Sequence, residues 1–93
     1  MGKIEELTQK RREAYEYIRQ TAYNRMHAPK DVTDAQLADI LGGTLELTDS
    51  IRLLREGKHN PTKRLVQAFK REFKNEILES TIDAYLVIPF RNA

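Results

Sequence analysis

The stretch that most restricts the fold runs from Thr33 to Pro61, TDAQLADILGGTLELTDSIRLLREGKHNP, where helix starts alternate with glycine stops. Thr33 opens a capping box. Its hydroxyl can accept from the backbone N–H of Gln36 while the Gln36 side chain reaches back to the N–H of Thr33. Leu37, Ala38 and Leu41 then share one helical face, and small Ala38 lets a second helix approach closely. Gly42-Gly43 stops the helix, because glycine accepts the left-handed conformation common at helix C-termini. The second helix is expected to start at Thr48 as N-cap, with Asp49 against the positive end of the helix dipole. Leu47, Ile51 and Leu54 supply its buried face, Arg52 and Arg55 look outward, and Gly57 closes it. Helix, turn, helix with a polar outer face is a helix-turn-helix pattern.

What surrounds this unit has to form one core with it. A chain of 93 residues has room for a single domain. An apolar fraction of 40% beside 32% charged residues is a globular balance, neither disordered nor membrane-embedded. No apolar run approaches the roughly 20 residues that span a bilayer. The charged start MGKIEELTQ lacks the apolar centre of a signal peptide, so a cytoplasmic protein is expected. Met-Gly at the start carries no weight as a myristoylation signal, since Glu6 stands where that motif wants Ser or Thr. With no cysteine there are no disulfides, thiolate nucleophiles or thiolate metal ligands.

Before the unit, Ile4 to about His27 reads as one long helix. Ile4, Leu7, Ala14, Ile18 and Ala22 recur at threes and fours, with a gap at Lys10–Arg12. Glu5, Glu6 and Glu13 alternate with Lys10, Arg11 and Arg12 on the wet side, a mixture that reads as solvated face or, in part, as phosphate contact. His27 suits the exposed carbonyls of a helix end. Ala28-Pro29-Lys30-Asp31 follows as a loop. After the unit, Asn60-Pro61 reads as N-cap and first helical position of a helix to about Ser80, burying Leu65, Val66, Phe69, Phe73 and Ile77. The tail from Thr81 to Phe90 is β-branched and aromatic. A strand pairing with a second subunit and a helix folding back on the core fit it about equally.

The chemistry points to binding. His27 and His59 are far apart and neither has a motif around it, so no enzyme is expected. Gly42-Gly43 lacks the lysine and spacing of a phosphate loop, and no metal-ligand spacing or cofactor motif occurs. The net charge of +2 is small, yet it is unevenly spread. Arg52, Arg55, Lys58, Lys63, Arg64, Lys70 and Arg71 fall in one segment opposed within it by Glu56 alone. That segment covers the second helix, its following loop and the next helix start, where a helix-turn-helix meets DNA. Thr48, Asp49, Arg52 and Arg55 are candidates for base edges, the arginines through guanine and Asp49 through cytosine's amino group. Lys58, His59, Asn60, Lys63 and Arg64 are candidates for phosphate.

QLADILGG followed by IRLLREGKHNP resembles the helix-turn-helix core of lambda repressor/Cro-type domains of phage and plasmid regulators. In that family a Gln-Leu-Ala or Glu-Leu-Ala block leads to Leu-Gly, then to a recognition helix with a buried Ile and a Gly-Lys-x-x-Pro-like loop. The resemblance covers the middle third of the chain. It implies an all-α bundle of four to five helices over residues 1–93, with the helix-turn-helix core at about 33–61 and either a short C-terminal strand or a last helix. It further implies a homodimeric, repressor-like regulator of transcription on a palindromic site of double-stranded DNA. Residues 81–93 would hold the dimer through Ile82, Tyr85, Leu86, Val87 and Ile88. Here the turn between the helices reads a few residues longer than the family's, and Asp34, Glu46 and Asp49 bring acids to the reading face. These departures favour an alternative, a protein-binding module on the same fold that acts as an inhibitor or antitoxin on a host protein.

Overall fold

A computed structural model describes residues 2–26, 32–43 and 45–87. Among them the chain forms five helices and no strand: α1 (Gly2–Met26), α2 (Asp34–Ile40), α3 (Leu45–Arg55), α4 (Lys63–Glu72) and α5 (Glu79–Leu86). His27, the loop to Asp31, Ile88 and Pro89 lie outside the described residues. The fold is all-α, as the capping and periodicity up to the tail predict.

α1 rises about 37 Å at the standard pitch, which is the length of the whole bundle. Ala14, Tyr15, Ile18 and Ala22 bury its stripe. Ile4, expected on that stripe, is instead 75% exposed. It stands one turn beyond Thr8, where α1 meets the loop after α3.

α2 carries the capping box in full. Thr33 Oγ1 accepts from the Gln36 N–H at 3.1 Å and Gln36 Oε1 accepts from the Thr33 N–H at 2.8 Å. Gly42 and Gly43 end the helix at φ of 100° and 50°, and the Gly43 N–H donates to the Ala38 carbonyl at 2.7 Å. α3 then begins at Leu45, three residues before the expected start, so Thr48 is inside the helix and not its N-cap. The cause is Leu47. It is buried with Ile51 and Leu54, and the three share one face only if the helix winds back past Thr48. The residues that lengthen the turn on paper are therefore helical, and the turn itself is short.

α4 is capped by Thr62, whose Oγ1 accepts from the Leu65 N–H at 3.1 Å, and not by Asn60. It also stops at Glu72 rather than near Ser80. The N–H groups of Glu76 and Ile77 both donate to the Phe73 carbonyl, and the chain reverses into α5. The reversal returns Ile82 and Leu86 to the core, where both are fully buried. A strand at 81–87 is thus excluded by the helix that buries these two residues at i, i+4 spacing. Phe69 and Phe73 pack at the centre with ring centroids 4.7 Å apart, core residues as their spacing suggests. Tyr17 stacks nearly parallel on Tyr85 at 4.1 Å, joining α1 to α5. α3 packs chiefly against α2 and α1. No described helix is long and apolar enough to cross a membrane.

Candidate nucleic-acid interface

With Leu47, Ile51 and Leu54 inside, helical geometry turns Asp49, Arg52 and Glu56 to the opposite side of α3. They form a ridge of alternating sign. Arg52 lies 3.8 Å from the Asp49 carboxylate and 3.4 Å from that of Glu56, and Lys58 Nζ is 3.3 Å from the same Glu56 oxygen. Lys58 is the first cause of a Glu56 carboxyl held below its ordinary range. Thr48 is half-buried one turn before Arg52.

Each flank of the ridge is tied to a neighbouring helix. On one side Arg55 forks onto Asp34 at the start of α2, with Nε 3.1 Å and Nη2 3.0 Å from Oδ2 and Nε 3.3 Å from Oδ1. That hydrogen bonding, with the carboxylate's charge, holds the Arg55 guanidinium above its ordinary pKa. On the other side Arg64 at the start of α4 pairs with Glu46 in the first turn of α3. Lys70 pairs with Asp83 of α5 at 2.7 Å. The basic segment thus meets acids that sequence distance hid, and within it Lys63 and Arg71 have no ion-pair partner among the described residues. Asp34, Glu46, Asp49 and Glu56 against Arg52, Arg55, Lys58, Lys63 and Arg64 leave the face one positive charge.

The loop after α3 is held from behind. Gly57 has φ 75°, and a Cβ there would lie 2.6 Å from Thr8 Cγ2 of α1, so backbone and neighbour both demand glycine. Arg11 Nε donates to Asn60 Oδ1 at 2.8 Å and Nη1 to the Gly57 carbonyl at 3.1 Å. Asn60 is thereby oriented by α1, its oxygen occupied and its amide N–H2 left for another acceptor. Lys58 and His59 are exposed on the clamped loop, and Lys63 and Arg64 on the first turn of α4.

Arg11, read from the sequence as solvated charge or phosphate contact, is instead half-buried and clamps this loop. Its signal was the gap in the α1 stripe. The series Leu7, Ala14, Ile18, Ala22 is completed at helical spacing by position 11, so a half-buried role for Arg11 was written in the register. Of the expected dimer residues, Ile82 and Leu86 are taken up by the core, Tyr85 and Val87 are about half exposed, and Ile88 lies outside the described residues. Leu78 joins Tyr85 and Val87 as an exposed apolar side chain. Compared with protein-family models, curated proteins and solved structures, the chain has no match.

Proposed function

We propose that this domain binds double-stranded DNA through α3, as a homodimeric, repressor-like regulator of the lambda repressor/Cro type that residues 33–61 resemble. The observation that carries the reading is the α2–turn–α3 unit with the outer ridge of α3 uncovered by any described element. α3 is about 16 Å long, and a helix of that size fits a major groove roughly 12 Å wide. Arg52 and Arg55 serve base edges, with Thr48 and Asp49 beside them. Lys58, His59, Lys63, Arg64 and the amide of Asn60 serve phosphates from the clamped loop and the start of α4. The ion pairs on the face do not bar this role. Exposed pairs contribute about 0–1 kcal/mol, whereas a bidentate arginine–guanine contact contributes about 1–3 kcal/mol. Leu78, Tyr85 and Val87 supply the dimer surface, and two copies place their recognition helices about 34 Å apart. Such a regulator works in the cytoplasm.

Selection from a randomised duplex pool at two salt concentrations tests the reading. The expected result is an enriched palindrome. Arg52→Ala is expected to lose that preference while its stability stays within about 0.5 kcal/mol of wild type. Absence of any enriched sequence overturns the reading. A second reading, a protein-binding module acting on a host protein, is favoured by one observation: the ridge carries two acids around a single arginine. A tight protein complex without duplex binding decides for it.

A further inference from the structure

The two ion pairs that flank α3 differ in kind. Glu46 and Arg64 have side chains 70% and 66% exposed, so water and salt screen them. Asp34 is different. Its side chain is only 16% exposed, and it sits at the first position of α2. Its carboxylate accepts from Nε and Nη2 of Arg55 at 3.0–3.3 Å, the side-on edge of the guanidinium that can also grip a guanine edge or a phosphate.

We propose that Asp34 is a specificity-determining residue that latches Arg55 in an intramolecular fork, so that arbitrary DNA cannot recruit this arginine and a cognate base edge can. The inference rests on the DNA-binding function proposed above. Its logic is competition for one fork. Any replacement for the carboxylate, phosphate or base, leaves Asp34 half-buried, unpaired and beside a polyanion, and a phosphate of arbitrary duplex brings no further cognate contacts to offset that cost. A guanine at the right place offers two acceptors from a neutral base, in the groove where α3 already lies. Binding to arbitrary duplex therefore proceeds without Arg55, while binding to the cognate site includes it. The forked pair, with side chains 44% exposed at Arg55 and 16% at Asp34, is the better held of the two and is the one assigned this role; the Glu46–Arg64 pair is more fully screened, and Arg64 remains a phosphate contact.

The test is a cycle read on an arbitrary duplex across a salt series. Asp34→Asn is expected to release Arg55. The slope of log affinity against log salt steepens by about one, the contribution of one added phosphate contact, and affinity at low salt rises about tenfold. Asp39→Asn removes the same charge from an exposed α2 position that has no ion-pair partner among the described residues. It is expected to change the slope by less than half as much. Arg55→Gln leaves the slope on arbitrary duplex at its wild-type value, and Asp34→Asn with Arg55→Gln abolishes the gain of Asp34→Asn alone. Thermal unfolding of each variant establishes that it is folded, and the Arg55→Gln measurement stands if Asp34→Asn is not. Equal shifts in Asp34→Asn and Asp39→Asn, or a slope lowered by Arg55→Gln, overturn the latch and leave DNA binding standing. No duplex binding by wild type or any variant at low salt overturns DNA binding itself, and the latch with it.

Discussion

The two faces of α3 obey different physics. Leu47, Ile51 and Leu54 face a core from which water is excluded, each no more than 4% exposed. Asp49, Arg52 and Glu56 face solvent, each within 4 Å of an opposite charge. Fully burying a Leu or Ile side chain contributes about 1.5–3 kcal/mol, while an exposed ion pair contributes about 0–1 kcal/mol. The inner face therefore decides whether the domain exists. The outer face can be rewritten at small cost in stability, which is the freedom a recognition surface needs.

The largest effect comes from breaking the inner face. Ile51→Ala removes most of a fully buried side chain of α3, and the expected loss is about 3 kcal/mol. For a domain whose total stability is of order 5–15 kcal/mol that is a large share. Urea unfolding checks it: the midpoint falls and the slope stays the same. A loss under about 1 kcal/mol would mean that α3 is not seated as described.

An intermediate effect is expected where inside and outside meet. Gly57→Ala places an L-residue at φ 75° and sets a methyl 2.6 Å from Thr8 Cγ2. The backbone term is about 1–2 kcal/mol, and the contact adds to it, so the expected total is about 2–3 kcal/mol. Thr8→Ala in the same chain removes the methyl contact but not the backbone strain. The double variant should therefore recover the steric part alone. Full recovery would show that the loop relaxes out of the left-handed conformation.

What the sequence disclosed divides along the same line. Local devices were legible: the Thr33–Gln36 box, the Gly42-Gly43 stop and the burial of Leu37, Leu41, Ile51, Leu54, Phe69 and Phe73 all follow from residues within a few positions of one another. The start of α3 was misplaced because Thr48-Asp49 imitates a cap, while the burial of Leu47 outweighs it. The break between α4 and α5 carries no glycine or proline, and Leu78 caps α5 without a side-chain hydrogen bond, so only the packing of Ile82 and Leu86 sets it. The candidate interface was legible in its residues but not in its charge. Asp34 finds Arg55 across 21 positions and Glu46 finds Arg64 across 18, partners that only the tertiary fold brings together.

The smallest effect separates the packed interior from the outer face of α3 by pH. Burial, the first cause, raises the hydroxyls of Tyr15 and Tyr17 above the ordinary tyrosine value of 10.0. A group raised on folding holds a proton that the unfolded chain gives up sooner. Its stabilisation is complete below the unfolded value near pH 10 and is lost as pH climbs through the folded one. Lys70, raised by its hydrogen bond to Asp83, acts in the same direction. On the outer face the sign reverses. Glu56 is held below its ordinary value of 4.5. Its contribution is present above that value and disappears as pH falls through the lowered one, and its exposure keeps it small. The urea midpoint is therefore expected to hold from neutral pH to about 9 and to fall above 10, with only a shallow decline below pH 5. Tyr15→Phe should flatten the alkaline limb and leave the acid limb alone, whereas Glu56→Gln should do the converse. An alkaline limb unchanged by Tyr15→Phe and Tyr17→Phe would assign it to the lysine ion pairs, and the buried tyrosines of α1 would then be silent to pH.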